Sequence, residues 1–135
     1  MRVVLDTNVV VSAALSAHGA CARILDMLLA GAFEFCADDR ILDEYDSVLR
    51  RPPLRIAAED VDALMEFVRH IARPIAAEPL SVALPDPDDL PFLEVAASAG
   101  AVLVIGNRRH FPKKVCKDVR VLSPGELLDL LRHSS

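Results

Sequence analysis

At 135 residues, with 53% apolar and 4% aromatic residues, the chain can bury the core of one domain, which argues against disorder. Its formal net charge of −5 argues against binding nucleic acid through overall basicity, but it does not exclude an enzyme whose acidic residues hold a metal ion. No apolar run reaches the roughly 20 residues that span a bilayer, and the N-terminus lacks the layout of a signal peptide. We therefore expect one domain over residues 1–135, cytoplasmic and not associated with a membrane.

The first half of the chain alternates short apolar runs with amphipathic stretches, which is typical of strands and helices that follow one another. Buried strands are predicted at residues 3–5 and 33–36. Amphipathic spacing predicts four helices, at residues 9–15, at 21–30, from Asp38 or Asp39 to the prolines at 52 and 53, and at 59–71.

The second half begins with a proline-rich connection over residues 74–87, in which a short strand is predicted near 81–84. A helix follows from Asp88 or Asp89 to residue 99, and strands are predicted at 101–105 and 119–122. Ser123 and Glu126 form a capping box that opens the last helix. This alternation predicts an α/β protein, a three-layer α/β/α sandwich with a mostly parallel central sheet.

Asp6 stands directly after the first predicted strand. In parallel sheets, ligands gather beyond the carboxyl ends of the strands, which is where this residue is expected. A carboxylate buried there costs stability unless something neutralises its charge. The alternative is that Asp6 only caps the following helix.

A second group of acids, Asp43, Glu44 and Asp46, lies on the predicted third helix. At about 100° per residue, Asp43 faces away from the core while Glu44 and Asp46 flank the apolar stripe. Either flanking acid could reach a cleft, and periodicity does not choose between them. The alternative for both is a solvated, charged helix face.

A third group, Asp86, Asp88 and Asp89, stands before or within the first turn of the next helix. Capping explains one of these carboxylates, but three are more than a cap needs. Carboxylates gathered from separate elements repel one another, and a hard divalent cation relieves that repulsion. Mg²⁺ or Mn²⁺ is therefore expected, and zinc is not, because no histidine or cysteine pair has its spacing.

One stretch of the chain is basic, although the chain as a whole is acidic. It contains Arg108, Arg109, His110, Lys113, Lys114 and Lys117, with Asp118 as the one acid nearby. This stretch could meet a phosphate backbone, and a solvated loop is the equal alternative. The histidine is interpreted as a surface or packing residue because no nucleophile stands beside it.

Four segments, in this order, resemble the PIN domain family. They are Arg2-Val3-Val4-Leu5-Asp6-Thr7-Asn8-Val9, then Leu42-Asp43-Glu44-Tyr45, then residues 86–94, and finally Val104-Ile105-Gly106-Asn107 through His110-Phe111. Each motif is weak alone, but the ordered set spans nearly the whole chain and is fairly specific. The chain is most similar to the toxin components of prokaryotic toxin-antitoxin pairs, the VapC-like ribonucleases.

The resemblance implies a Mg²⁺- or Mn²⁺-dependent endoribonuclease that hydrolyses phosphodiester bonds of RNA. The three catalytic acids of the family correspond to Asp6, Glu44 and Asp89, which would also hold the metal together with Asp86. The analogy thereby favours Glu44 over Asp46, a choice that helix geometry leaves open. An antitoxin protein that covers the site and a homodimer are implied as well.

The same resemblance assigns supporting roles. Thr7 and Asn8 are expected beside the substrate, where they support the first acid through hydrogen bonds. Arg108 and Arg109 are expected to grip the RNA backbone. Asp88 is left as the cap of the helix that follows it.

At the fourth position of the pattern, this sequence departs from the family. The strand ends in Gly106-Asn107, where many members carry an acid, and His110 stands where some members carry a second acid. Asn107 can still orient a water molecule or a phosphate as a catalytic residue, but it brings no charge. We therefore expect weaker metal binding, or one ion bound tightly instead of two.

Two other functions compete with the nuclease. The first is a catalytically weak or inactive PIN-like module that binds RNA or protein, which the missing acid at Asn107 favours. The second is a phosphoryl-transfer enzyme with Asp6 as a covalent nucleophile. The sequence lacks a second aspartate two residues after Asp6, which disfavours the latter.

Overall fold

A parallel sheet forms the centre of the molecule in the computed structural model, which describes residues 1–116 and 118–133. Its strands within those residues are β1 (Arg2–Leu5), β2 (Glu34–Ala37), β3 (Arg73–Pro74), β4 (Val102–Val104) and β5 (Val121–Leu122). They lie in the order β3-β2-β1-β4-β5, and each neighbouring pair is parallel. Because all five run the same way, their carboxyl ends share one edge of the sheet.

The central position belongs to β1, which pairs with β2 on one side and with β4 on the other. Its residues Val3, Val4 and Leu5 are at most 2% exposed. A strand that is covered on both faces needs apolar side chains at successive positions, which is why this run has no polar interruption. The first polar side chain, Asp6, follows at the carboxyl edge.

Helices cover the sheet. Within the described residues they are α1 (Thr7–Leu15), α2 (Ala20–Leu29), α3 (Asp39–Leu49), α4 (Ala58–Ile71), α5 (Leu90–Ala99) and α6 (Pro124–His133). Helix α5 packs on β1, β2 and β4, while α1 packs against α2 and α3, α2 against α6, and α3 against α4. The predicted α/β/α sandwich is confirmed, with a sheet that is parallel throughout its described strands.

No single helix among the described residues has the length and apolar composition that crossing a membrane requires. Helices α1 and α2 reach that length and composition only when taken together, and they are bent by 97° relative to each other.

The prediction of a strand near residues 81–84 is wrong, because the chain forms no strand there. The strand at this edge of the sheet is β3, at Arg73–Pro74. Residues 75–84 have no regular secondary structure. They are held instead by side chains of α5, because the Leu80 amide donates to Glu94 at 2.8 Å and the Glu78 amide donates to Ser98 at 2.9 Å. Pro79 within this segment and Pro85 directly after it lack two amides that a sheet ladder would need.

The prediction that Asp88 caps the next helix is also wrong. A single 3-10 turn at Pro87–Asp89 precedes α5, and Asp86 caps this turn by accepting a hydrogen bond from the Asp88 amide at 3.0 Å. A residue before proline is restricted to extended backbone, from which an aspartate side chain can reach the amide two residues on. Asp88 itself is exposed.

Local signals at two other helix starts are confirmed. Asp38 caps α3 by accepting from the Ile41 amide at 3.1 Å. Ser123 and Glu126 form the predicted reciprocal pair at the start of α6, with bonds of 2.9 and 3.2 Å. In both cases the cap depends on residues only three apart, which a sequence displays directly.

A buried charge fixes α5 to the start of α3. Glu94 is only 5% exposed, and its carboxylate accepts from the Arg40 guanidinium at 2.8 Å as well as from the Leu80 amide. Arg40 also binds Asp38 at 2.7 Å. Because each oxygen of Glu94 has a partner, this acid is accounted for by its role in the fold.

We expect Arg40→Ala to lower the free energy of unfolding by about 2 kcal/mol, because it leaves the Glu94 carboxylate buried without its cationic partner. Urea denaturation measures the change. Arg50→Ala is the matched control, since Arg50 forms ion pairs with Asp46 and Asp62 that are open to solvent, and it should change stability little. Equal effects of the two substitutions would contradict this role of Glu94.

Candidate functional site at the carboxyl edge of the sheet

Asp6 lies where the sequence predicts it, at the carboxyl end of the central strand. Its amide donates to the Val104 carbonyl at 2.9 Å, so the pairing of β1 with β4 extends to this residue. Asp6 is 3% exposed, and its Oδ2 accepts no hydrogen bond from the described residues. Although Asp6 occupies the N-cap position of α1, its side chain makes no capping bond. Capping therefore does not explain this carboxylate.

Burial raises the pKa of Asp6 above its ordinary value, and the nearby Glu44 adds to the rise. The backbone amides of Gly106, Thr7 and Asn8 act in the opposite direction by stabilising the charged form. The pKa remains raised, so these amides do not fully compensate for the loss of water. A cation at this position would remove the remaining penalty.

Glu44 is directed toward Asp6 by the first residue of α1. The Thr7 hydroxyl donates to the Glu44 carboxylate, and Thr7 is itself buried. The other candidate on this helix, Asp46, instead pairs with Arg50 at 2.7 Å, one turn further along. The geometry thus distinguishes the two acids that helix periodicity leaves equivalent, and it brings Glu44 to the site.

A buried tyrosine sets the position of Glu44. The Tyr45 hydroxyl donates to the carbonyl of Leu5, the last residue of β1, and its ring packs 6.3 Å from Phe35 and 6.4 Å from Phe92 between ring centroids. Burial raises the pKa of Tyr45 well above its ordinary value, and the charges of Asp6 and Glu44 contribute. Tyr45 therefore stays protonated and ties α3 to the end of the central strand.

The third acidic group meets the same edge from the turn that precedes α5. Asp89 is 8% exposed, and its Oδ2 also accepts no hydrogen bond from the described residues. Burial, together with the nearby charges of Asp6, Asp86 and Glu44, raises the pKa of Asp89 to about 6, and His110 opposes this rise. Because the charges of Asp6, Asp86 and Glu44 all act on Asp89, the structure brings the four predicted acids to the same edge of the sheet.

Asp86, Asp89 and His110 form a compact set of possible metal ligands at this edge of the sheet. Each offers one ligand atom, and these atoms are all within 4.8 Å of each other. His110 Nδ1 is 3.0 Å from Asp89 Oδ2, but the pair lacks hydrogen-bond geometry. Asp6 and Glu44 stand beside this set without belonging to it.

His110 is the site residue that the sequence interpretation missed. A histidine with no nucleophile beside it in the chain was expected to be a surface or packing residue, whereas its ring faces Asp89. The available signal is its place five residues after the carboxyl end of the strand predicted at 101–105, together with the family pattern that puts an acid there. Neither shows which way the ring turns.

The remaining predicted residues lie around the acids with different surroundings. Asn107 is exposed, and its Oδ1 accepts from the Arg109 amide at 3.0 Å, so it caps the 3-10 turn at residues 108–110. Gly106 lies so close to Asn8 that a Cβ at residue 106 would be 3.2 Å from the Asn8 Cβ. Arg108 forms an exposed ion pair with Glu126.

The basic stretch after β4 places positive charge on the surface. Arg109, Lys113 and Lys114 are exposed, so their charges are available to an anionic partner. Lys117, which the sequence analysis includes in this stretch, lies outside the described residues.

The sheet of order β3-β2-β1-β4-β5, covered by helices and with acids gathered at its carboxyl edge, defines the class as a parallel α/β/α sandwich with an acidic site. The sequence matches the PIN domain family over residues 2–109, and the chain belongs to that family. No curated protein matches the chain significantly. Among solved structures, it is similar to VapBC2 from Rickettsia felis bound to a DNA fragment from their promoter. The TM-score is 0.62 and the identity 16%, over 91% of this chain and 98% of that chain, a likeness that shows the fold.

In the metal-free protein, we expect Asp89→Asn to raise the free energy of unfolding at pH 8 by about 1 kcal/mol. Burial holds the pKa of this carboxyl at about 6, against its ordinary 3.8, so the charged form is less stable in the folded chain than in the unfolded one. Solvent near the site screens part of the penalty.

This penalty is absent below about pH 4, grows as the pH rises to about 6, and is complete above it, because the folded state binds the proton more tightly. The stabilisation by Asp89→Asn should therefore vanish at pH 4. Urea denaturation at both pH values measures it, with the exposed Asp88→Asn as control. A gain in stability that is the same at pH 4 and pH 8 would contradict the buried charge.

Proposed function

We propose that the chain is a metal-dependent endoribonuclease of the cytoplasm that serves as the toxin of a toxin-antitoxin pair. One observation carries the proposal: two carboxylate oxygens, on Asp6 and Asp89, are buried at the same edge of the sheet without a hydrogen bond from the described residues, and the charge of Asp6 acts on Asp89. Buried charges without partners are costly, and proteins keep them where a ligand compensates for them.

A divalent cation fits this group of residues. The donors are carboxylate oxygens of the residue after β1, of α3 and of the turn before α5. Mg²⁺ and Mn²⁺ prefer hard oxygen ligands of this kind. Asp6, Glu44, Asp89 and Asp86 would hold the ion. When bound, such an ion activates water for attack and neutralises charge on a phosphodiester.

The protein groups around the ion would position and shield it. Thr7 holds the Glu44 carboxylate by its hydroxyl, and Tyr45 holds the helix that carries Glu44. Asn107 would contribute its amide nitrogen, since its oxygen accepts from the Arg109 amide. Asn8 and Thr7 would stand beside the substrate at the start of α1.

RNA is the proposed substrate because the PIN domain resemblance implies it and because a basic surface adjoins the acids. Arg109, Lys113 and Lys114 are exposed, and the ion pair between Arg108 and Glu126 is open to solvent. A phosphate backbone could compete with Glu126 for Arg108, because exposed ion pairs are weak. On an acidic chain, this local basicity would orient the RNA strand along one side of the metal site.

We further propose an antitoxin protein as partner and a homodimer as the working form. The resemblance to VapC-like toxins implies both, and the similar solved structure is a VapBC2 assembly. The antitoxin would cover the acidic edge and so block access of RNA to it.

The second candidate function is a PIN-like module that binds RNA or protein without cutting. It is favoured by Asn107, which brings no charge to the fourth position and whose oxygen serves as a cap. Turnover distinguishes this module from the nuclease.

Mixed RNA incubated with and without Mn²⁺ provides the test of activity. We expect cleavage by the parent only with the ion, and Glu44→Gln should lower the rate by more than the roughly 10–100-fold that loss of a residue supporting a metal ligand costs. Asp46→Asn is the matched control on the same helix and should retain the parent rate. Asp6→Asn, purified in parallel, reports contaminating nuclease. Equal rates for the parent and Glu44→Gln would defeat the assignment.

Millimolar Mn²⁺ should also raise the melting temperature of the parent, because an ion that binds only the folded state stabilises it by about 2.7 kcal/mol at 100 times its Kd. Differential scanning fluorimetry measures this shift. It should be lost in Asp6→Asn and retained in Asp43→Asn, which alters an exposed acid of α3. An unchanged melting temperature in the parent would argue for the binding module.

A further inference from the structure

The side chain of His110 faces the acids at the carboxyl edge of the sheet, although the preceding residues of its turn are exposed to solvent. The 3-10 turn at residues 108–110 is closed by the His110 amide, which donates to the Asn107 carbonyl at 3.2 Å, and by the buried Phe111 that follows. Arg108 and Arg109 are exposed, whereas the His110 side chain is 35% exposed and faces Asp89. The turn therefore delivers one imidazole to the carboxyl edge of the sheet.

Its ring nitrogen stands at a distance that suits two ligands of one ion. His110 Nδ1 and Asp89 Oδ2 are 3.0 Å apart, and a ligand oxygen of Asp86 lies within 4.8 Å of both. In an octahedral site with ligands at about 2.1 Å, adjacent ligand atoms are about 3.0 Å apart. No large rearrangement is needed for these atoms to meet a common ion.

The contact between His110 and Asp89 is an ion pair only when the imidazole is protonated. The two atoms lack hydrogen-bond geometry, and Asp89 Oδ2 is buried without a hydrogen bond from any described residue. Asp6, which is 3% exposed and whose charge acts on Asp89, also has an oxygen without a hydrogen bond from the described residues. The imidazole nitrogen and two carboxylate oxygens are thus all left available to a ligand.

We propose that His110 is a direct ligand of the cation, so that the site combines carboxylates with one imidazole nitrogen. The proposal rests on the metal centre proposed above and specifies its selectivity. Carboxylate sites suit Mg²⁺, whereas an imidazole ligand favours first-row transition ions. The site therefore binds Mn²⁺ or Co²⁺ in preference to Mg²⁺, and His110 supplies a further ligand atom, without charge, at the end of the sheet where Asn107 supplies no carboxylate.

Pulsed electron paramagnetic resonance on the full chain loaded with Mn²⁺ tests the ligand directly, because a coordinated imidazole modulates the electron spin echo through its ¹⁴N nucleus. We expect this modulation in the parent and its loss in both His110→Asp and His110→Asn. His70→Asn, which changes an exposed histidine of α4, is the matched control and should keep it. Circular dichroism checks that each variant is folded.

Metal titrations of the same proteins test selectivity. The ratio of the Kd for Mg²⁺ to the Kd for Mn²⁺ should fall by roughly tenfold in His110→Asp, because an oxygen ligand replaces the nitrogen. The ratio should not change in His70→Asn.

The outcomes separate this inference from the proposed function. Mn²⁺ bound by the parent without nitrogen modulation overturns the role of His110 and leaves the nuclease proposal intact. Modulation that persists in a folded His110→Asn also overturns it. Failure of the parent to bind Mn²⁺ at all overturns both proposals.

Discussion

The structure depends on carboxylates that the fold forces together at the carboxyl edge of its sheet. Asp6 and Asp89 are almost fully enclosed, each keeps one oxygen without a hydrogen bond from the described residues, and the charge of Asp6 raises the pKa of Asp89. Proteins rarely retain such a conflict without a compensating ligand. A bound divalent cation would attract both carboxylates and so offset their mutual repulsion. We therefore expect metal binding to stabilise the carboxyl edge of the sheet.

The surrounding contacts explain how the edge is held in place despite that repulsion. Tyr45 fixes α3 to the last carbonyl of β1, and Thr7 fixes the Glu44 side chain. Arg40 compensates the buried charge of Glu94 and so anchors α5, which follows the turn that carries Asp89. The acids therefore come from elements whose own positions are set by hydrogen bonds outside the site. This rigidity is what a preorganised metal centre needs.

Sequence patterns predicted the features that depend on near neighbours. The apolar run before Asp6, the Ser123–Glu126 capping box and the alternation of strands with helices were all visible, because each depends on a few adjacent residues. What they could not predict depends on distant contacts. Glu44 is distinguished from Asp46 by the hydrogen bond that it accepts from Thr7, which is 37 residues away in the chain. The two-residue strand at Arg73–Pro74 exists because β2 offers it a partner, and the ring of His110 turns inward because of a 3-10 turn whose geometry no periodicity reports.

The most direct test of the central claim is anomalous scattering at the manganese edge from crystals of the protein soaked in Mn²⁺. Compensation of the buried carboxylates predicts an anomalous peak within bonding distance of an Asp89 oxygen, with Asp6 turned toward it, and no peak at the exposed acids of α3. Crystals that show no peak at this edge, while Asp6 and Asp89 remain enclosed and unpartnered, would contradict the account.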